Sequence, residues 1–217
     1  MKYFLYVITD ETIAGGLNHA EIAERAIAGG ADAIQLRDKT CGCLKLCQVG
    51  RVLRTITMKT GTLFIVNDRL DVALACGADG VHLGQDDIRP GVARQIAPPG
   101  FIIGVSVRTV DEAIRAEQDG ADYLAVSPVF STASKKDAGP GRGLMVLREI
   151  RQKVSVPVIA IGGINLDNVH EVITAGADGV AVISSVVGSK DITAAAQELR
   201  KRISESKATL KNVIVWG

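Results

Sequence analysis

Asp68 and Asp87 stand nineteen positions apart in VNDRLDVALACGADGVHLGQDD, each just past an apolar run. Carboxylates closing two successive strands would be neighbours on the rim of a sheet, placed to share one hard cation. Mg²⁺ suits such a pair, because it is usually held by one or two carboxylates and completes its shell with water and phosphate oxygens. The simpler alternative is that each Asp caps the next helix. Positive charge in the same register argues for more than a cap. Arg37 and Lys39 extend the apolar run in QLRDK, and Lys135 and Lys136 fall in the polar stretch STASKKDAGPGRG. A lone metal site needs no cations, whereas a polyphosphate does, since its oxygens take charge-assisted hydrogen bonds from Arg and Lys. A lysine pair in a polar loop can also be plain solvated charge. Arg37 is harder to read that way, because it continues an apolar strand directly.

A second signal lies further along. IGGI carries Gly162 and Gly163, and ISSVVGSKD carries Ser184 and Ser185. In a barrel, the last two strand ends and the start of a short extra helix commonly hold a phosphate through backbone N–H groups. Two phosphate regions, one with metal and one without, imply two phosphorylated substrates or one molecule phosphorylated at both ends. The first case suggests a transferase. Among the histidines, His82 lies inside an apolar run and reads as a hydrogen-bonded interior residue rather than a general base. His19 and His170 fall in helical patterns and are expected at the surface.

The elements that must position these residues show in an internal repeat. GGADAIQLRDK, CGADGVHLGQDD, DGADYLAVSPVF and AGADGVAVISSVV each read Gly-Ala-Asp and then an apolar strand. Gly suits the end of a helix, so each is a helix-to-strand joint. Amphipathic patterns such as HAEIAERAIAGG and TVDEAIRAEQDG precede the joints, and other short apolar runs lie between them. Together they predict eight strands, near 3–9, 32–37, 62–67, 79–83, 101–106, 122–126, 156–161 and 178–183, with a closing helix around 191–204. Near-continuous apolar strands alternating with helices imply a parallel sheet covered by helices, and eight units favour a single α/β domain over 1–217, a (β/α)₈ TIM barrel. An open doubly wound sheet would want a Gly-rich turn after the first strand, and VITDETIAGG has no GxGxxG.

A barrel keeps its chemistry at the C-terminal ends of its strands, and the polar residues at those ends are Gln35, Arg37 and Lys39; Asn67 and Asp68; Gln85, Asp86 and Asp87; and Ser106 and Arg108. The loop after the sixth strand is the longest connection, and its Gly, Ser and Lys content suggests a lid.

Composition narrows the partners. The 217 residues are 47% hydrophobic, only 4% aromatic, and carry a net charge of +1, so neither a nucleic-acid surface nor a membrane span is expected. Cys41, Cys43, Cys47 and Cys76, with no secretion signal, read as reduced thiols of a cytoplasmic protein. CGCLKLC fits no zinc spacing. The tail from about residue 205, including Trp216, is expected to fray. A homo-oligomer is compatible with the sequence.

QLRDK, VNDRLDVA, GADGVHLGQDD, GVSV, GADYLAVSPVFSTASKKD, GGI and GADGVAVIS, in this order, resemble the thiamine phosphate synthase family over nearly the whole chain. The resemblance implies condensation of 4-amino-2-methyl-5-hydroxymethylpyrimidine diphosphate with 4-methyl-5-(2-hydroxyethyl)thiazole phosphate, giving thiamine phosphate and diphosphate. It implies that Gln35, Arg37, Lys39, Asn67, Ser106 and Lys135 hold the pyrimidine diphosphate, with Arg37, Lys39 and Lys135 in the catalytic role. Asp68 and Asp87 would bind Mg²⁺, and Thr132, Ser134, Gly163, Ile183 and Ser184 the thiazole phosphate. Arg108 departs from the His that relatives often carry. A thiazole tautomerase on the same barrel, needing no diphosphate site, and a non-catalytic phosphate-ligand sensor are the alternatives.

Overall fold

The computed structural model describes residues 5–132, 134 and 140–214, the last four as helical backbone. The eight strands are β1 (Leu5–Ile8), β2 (Ala33–Leu36), β3 (Leu63–Asn67), β4 (Gly80–Leu83), β5 (Ile102–Val107), β6 (Tyr123–Val126), β7 (Val158–Ile161) and β8 (Gly179–Val182). They pair in sequence order and in parallel, and β8 closes on β1 with Leu5 beside Val180, so the barrel read from the repeat is the fold. The helices are α1 (His19–Ala28), α2 (Cys43–Thr60), α3 (Leu70–Ala75), α4 (Pro90–Ile96), α5 (Val110–Gln118), α6 (Gly143–Lys153), α7 (Val169–Thr174), the short α8 (Ser184–Val187) and α9 (Ile192–Ile214). No helix among the described residues is long and apolar enough to cross a membrane.

Successive strand residues face opposite ways, and this alternation splits the core into two layers. Leu5 and Val7 of β1 join the outer layer under the helices, whereas Tyr6 and Ile8 join the inner one with Ile65, Tyr123, Ile159 and Ile161. Most of the barrel interior is therefore solid. Chemistry is left to the strand ends.

The repeated Gly-Ala-Asp joints close the opposite end of the barrel. Oδ2 of Asp32, Asp79, Asp122 and Asp178 accepts the N–H of Leu5, Phe64, Ile103 and Val158 respectively, at 2.7–2.8 Å. Each of these Asp residues also returns its own N–H to the carbonyl of the same strand residue. An Arg from the helix layer then pairs with each carboxylate: Arg200, Arg54, Arg94 and Arg151. Two βα units make one such clamp, and the barrel is four of them.

The end of the chain differs from expectation. The helix expected to stop near 204 continues as α9 to Ile214, so residues 205–214 are helical where a frayed tail was expected. Its packing explains why. Ile203 and Ser206, one turn apart, are buried, and Ser206 Oγ meets His170 Nδ1 of α7 at 3.1 Å. Trp216 lies outside the described residues.

Candidate active site

Two cavities open at the C-terminal ends of the strands. One, of about 130 Å³, is lined by Arg37, Lys39, Asn67, Asp68, Asp87 and Ser106, together with His82, Gln85, Asp86 and Arg108. The other is lined by Thr132, Ser134, Gly162, Gly163, Ile183, Ser184 and Ser185. Ser127, at the end of β6, lines both, so the cavities adjoin. The residues expected around a diphosphate and those expected around a second phosphate thus separate into two neighbouring chambers. Gln35 is the exception, since it lines neither: it is buried beneath them with Nε2 donating to Tyr6 Oη. Lys135 and Lys136, and with them residues 133 and 137–139 of the loop expected to be a lid, lie outside the described residues.

In the first cavity, neither Asp68 nor Asp87 is a helix cap. The N-caps of α3 and α4 are Arg69 and Arg89, and neither helix has a side-chain cap bond. Asp68 instead turns the chain at the end of β3, and Asp87 Oδ2 accepts the Gly84 N–H at 2.6 Å, which tightens the β4 turn. Among the described residues, no group of three or more His, Cys, Asp or Glu side chains is arranged to hold a metal ion. An ion here would rest on two carboxylates, which suits Mg²⁺ with water and phosphate oxygens filling the shell and suits poorly a metal needing an all-protein cage. Gln85 Nε2 donates to the Ser106 carbonyl at 2.6 Å, and the Arg108 N–H to Glu112 at 2.6 Å, which fix the β4 and β5 rims.

Arg37 is held from behind. Its guanidinium meets Asp10 at 3.2 Å with only 10% of its side chain exposed, and its buried Nε has no hydrogen-bond partner. His19, expected at the surface, is buried instead. Its Nδ1 lies 2.7 Å from Thr9 Oγ1, and its Nε2 stands 3.6 Å from Asp38 and 3.7 Å from Glu11. Helical periodicity placed His19 on α1, but it is that helix's first residue, tucked under the loops after β1 and β2. Burial alone would raise the Asp38 carboxyl, but hydrogen bonds from Cys41 and Thr40 outweigh it and hold the group well below the usual carboxylate range. The same hydrogen bond, with burial, pushes the Cys41 thiol up.

The second cavity depends on close backbone approach. A Cβ at Gly162 would fall 2.5 Å from Pro128 Cβ, and one at Gly163 would fall 2.8 Å from Phe130 Cβ and from the Ser131 carbonyl. Both glycines have positive φ, 101° and 65°. They let the β6 loop lie against the end of β7, with the Phe130 N–H donating to the Gly162 carbonyl. Ser185 presents a buried hydroxyl with no partner on this lining.

His82 is hydrogen-bonded within the barrel, as its place in an apolar run implied. Its Nδ1 lies 2.9 Å from Tyr123 Oη and its Nε2 2.9 Å from Ser106 Oγ. Sequence reasoning missed Tyr6, Tyr123 and Ser127. A usable signal was the inward register of the two tyrosines, because a buried phenol needs a partner.

The chain matches known proteins over almost its whole length. A family model described as thiamine monophosphate synthase matches residues 5–186. The thiamine-phosphate synthase of Methanoregula boonei is 66% identical over 207 residues, covering 95% of this chain and 96% of that protein. That of Methanoculleus marisnigri is 60% identical over 208 residues, covering 96% and 99%. Among solved structures, a thiamine phosphate pyrophosphorylase from Pyrococcus furiosus has a TM-score of 0.88 at 47% identity, covering 94% of this chain and 97% of that one. With the barrel, the paired cavities and these relatives in agreement, the chain belongs to the thiamine monophosphate synthase family.

Proposed function

We propose that this protein joins 4-amino-2-methyl-5-hydroxymethylpyrimidine diphosphate to 4-methyl-5-(2-hydroxyethyl)thiazole phosphate, forming thiamine phosphate and releasing diphosphate. The observation that carries the reading is the pair of cavities meeting at Ser127, one charged and one built on glycine turns. Arg37 and Lys39 line the charged cavity as cations for a diphosphate, and Asn67 and Ser106 add neutral hydrogen-bonding groups. The glycine-built cavity, with Thr132, Ser134, Gly163, Ile183 and Ser184, takes the thiazole phosphate. Contact between the cavities would bring the pyrimidine methylene and the thiazole nitrogen together, and that proximity is a large part of the rate gain.

Asp68 and Asp87 would hold Mg²⁺, which would help neutralise the leaving diphosphate. On this reading the protein works in the cytoplasm on small-molecule substrates, and all four of its cysteines are unpaired, as a reducing compartment requires. A tautomerase would have no use for a cavity carrying both cations and carboxylates. The test is a two-substrate assay with and without Mg²⁺. Thiamine phosphate and diphosphate should form in equal amounts only when both substrates and the ion are present. Turnover of the thiazole phosphate alone would overturn the reading.

A further inference from the structure

We infer that Asp10 is a positioning residue that sets the plane of the Arg37 guanidinium for the diphosphate, an inference that rests on the reading of the charged cavity given above. Register brings the two residues together. Ile8 of β1 pairs in parallel with Gln35 of β2, and the Thr9 N–H donates to the Gln35 carbonyl at 2.9 Å, so Asp10 and Arg37 each stand two residues past a paired position. Arg37 Nη1 donates to Asp10 Oδ2 at 3.2 Å, with 10% of the arginine and 16% of the aspartate side chain exposed. Asp10 is itself held. Its Oδ1 accepts the N–H of Thr12 and of Ile13, both at 3.1 Å, and its carbonyl accepts the N–H of Ala14 at 3.0 Å. One carboxylate oxygen thus anchors the turn after β1 while the other meets the arginine. Arg37 lines the charged cavity and Asp10 does not, so Asp10 reaches a ligand there through Arg37.

A buried ion pair can be part of the frame and nothing more. Two observations set this one apart. A carboxylate beside an anion site repels the anion and offsets part of the attraction of Arg37, so charge alone disfavours Asp10 in this place. Its contribution to binding has to be geometric. The bond to Asp10 takes Nη1 and is the only hydrogen bond the Arg37 side chain makes among the described residues, while Nε is buried without a partner. A guanidinium is a rigid plane, and its Nε–H lies parallel to one Nη2–H as a fork that fits two oxygens of a phosphate. With Nη1 tied back by Asp10, that edge is the one left for the ligand. An N–H enclosed without an acceptor costs free energy, and a phosphate oxygen drawn to this edge supplies one. Asp10 thus acts on the angle of the plane.

The sign of one substitution separates angle from charge. Asp10→Asn keeps a side-chain oxygen for the Thr12 and Ile13 N–H groups but removes the negative charge from Arg37. Inorganic diphosphate with Mg²⁺, and separately the pyrimidine diphosphate, are titrated by calorimetry into the wild type, Asp10→Asn, Arg37→Lys and the double variant. Asp10→Asn should weaken both ligands roughly tenfold, about what one charge-assisted hydrogen bond contributes. It should leave KM for the thiazole phosphate unchanged and do nothing further in the Arg37→Lys background, which has no fork to aim. Tighter binding by Asp10→Asn, the outcome charge alone predicts, overturns the inference. So does a lower melting temperature with unchanged binding, or an equal loss in both backgrounds. If Asp10→Asn does not fold, Asp10→Ser, whose hydroxyl also accepts from a turn, takes its place with the same outcomes. In the wild type, the Arg37 Nε–H resonance, identified by its absence from Arg37→Lys, should shift as inorganic diphosphate and Mg²⁺ are added, and no shift at saturation overturns the inference. A wild type that binds neither diphosphate overturns both readings, whereas an active wild type with an equal Asp10→Asn loss in both backgrounds overturns this one alone.

Discussion

The Asp68 N–H donates to the His82 carbonyl at 2.8 Å while Asp68 itself sits at φ 63°, the only non-glycine residue with positive φ among those described. The bond to β4 fixes the turn at the end of β3, and the left-handed backbone leaves the carboxylate on the lining of the charged cavity. Such a conformation is uncommon outside glycine and tends to be kept where function uses it. Asn adopts it nearly as readily as Asp. Asp68→Asn is therefore expected to keep wild-type stability and lose most turnover, with the remainder demanding more Mg²⁺. Asp68→Ala should lose turnover and also about 1 kcal/mol of stability in urea unfolding. Wild-type activity of the Asn variant at limiting Mg²⁺ would reduce Asp68 to a turn residue.

The second cavity gives a sharper contrast. Gly163→Ala places a methyl group against Phe130 and Ser131 at a backbone angle that Ala resists, so thiazole phosphate binding should fall steeply. Ser184→Ala removes one hydroxyl from a site made mainly of backbone groups and should cost only a few-fold, about what one hydrogen bond is worth. Pyrimidine diphosphate binding should be unchanged in both variants, since neither residue lines the charged cavity. Equal weakening of both ligands by calorimetry would argue against two separate phosphate regions.

At the far end of the barrel, Asp79→Ala leaves the Phe64 N–H and Arg54 without their carboxylate. The expected loss is about 1–3 kcal/mol of stability, set by the stranded N–H, with KM for both substrates unchanged. A change in KM without a change in stability would place Asp79 in the site instead of the frame.

These clamps show what was legible in the chain and what was not. The Gly-Ala-Asp repeat announced the joints and through them eight strands and a barrel, because strand periodicity and helix-ending glycines are local signals. What the Asp does was not legible. Asp32 bonds Leu5 and Arg200, at opposite ends of the chain, and no local pattern joins them. The site divides the same way. Asp68, Asp87, Arg37 and Gly163 are placed directly by their positions at strand ends. Gln35, assigned to the ligand through the family resemblance, is buried and lines neither cavity, and buried His19 looked like a surface helix residue. Side-chain direction at the mouth of a barrel is set by its neighbours across strands.

Asp38 gives a pH dependence. Its carboxyl is held below the ordinary value in the folded protein, so the unfolded chain binds its proton more readily. The stability it contributes is fully present above the ordinary aspartate range and is lost as pH falls through that range toward the lower folded value. Asp38→Asn should flatten this acid limb, seen as a smaller drop in melting temperature between neutral and acidic buffer. An unchanged acid limb would remove Asp38 from the set of groups that stabilise the loop carrying Lys39.

The bond-making step itself can be tested. Arg37 and Lys39 line the charged cavity, where the proposed reaction would need cations beside a departing diphosphate. On the proposed function, these cations would stabilise the leaving group, which favours a path in which the carbon–oxygen bond breaks first. Its electron pair leaves with the diphosphate, and the amino-substituted pyrimidine spreads the positive charge left on the methylene. The thiazole nitrogen then supplies the lone pair for the new carbon–nitrogen bond, and no proton has to move. With the bridging oxygen of the pyrimidine diphosphate isotopically labelled and an unreactive thiazole phosphate analogue bound, the cation can only recombine. Label should then appear at non-bridging positions of recovered substrate. Electron-withdrawing groups on the pyrimidine should slow turnover, because they oppose the charge that develops on the ring. Absence of scrambling, together with a rate indifferent to those groups, would rule the path out in favour of direct displacement by the thiazole nitrogen.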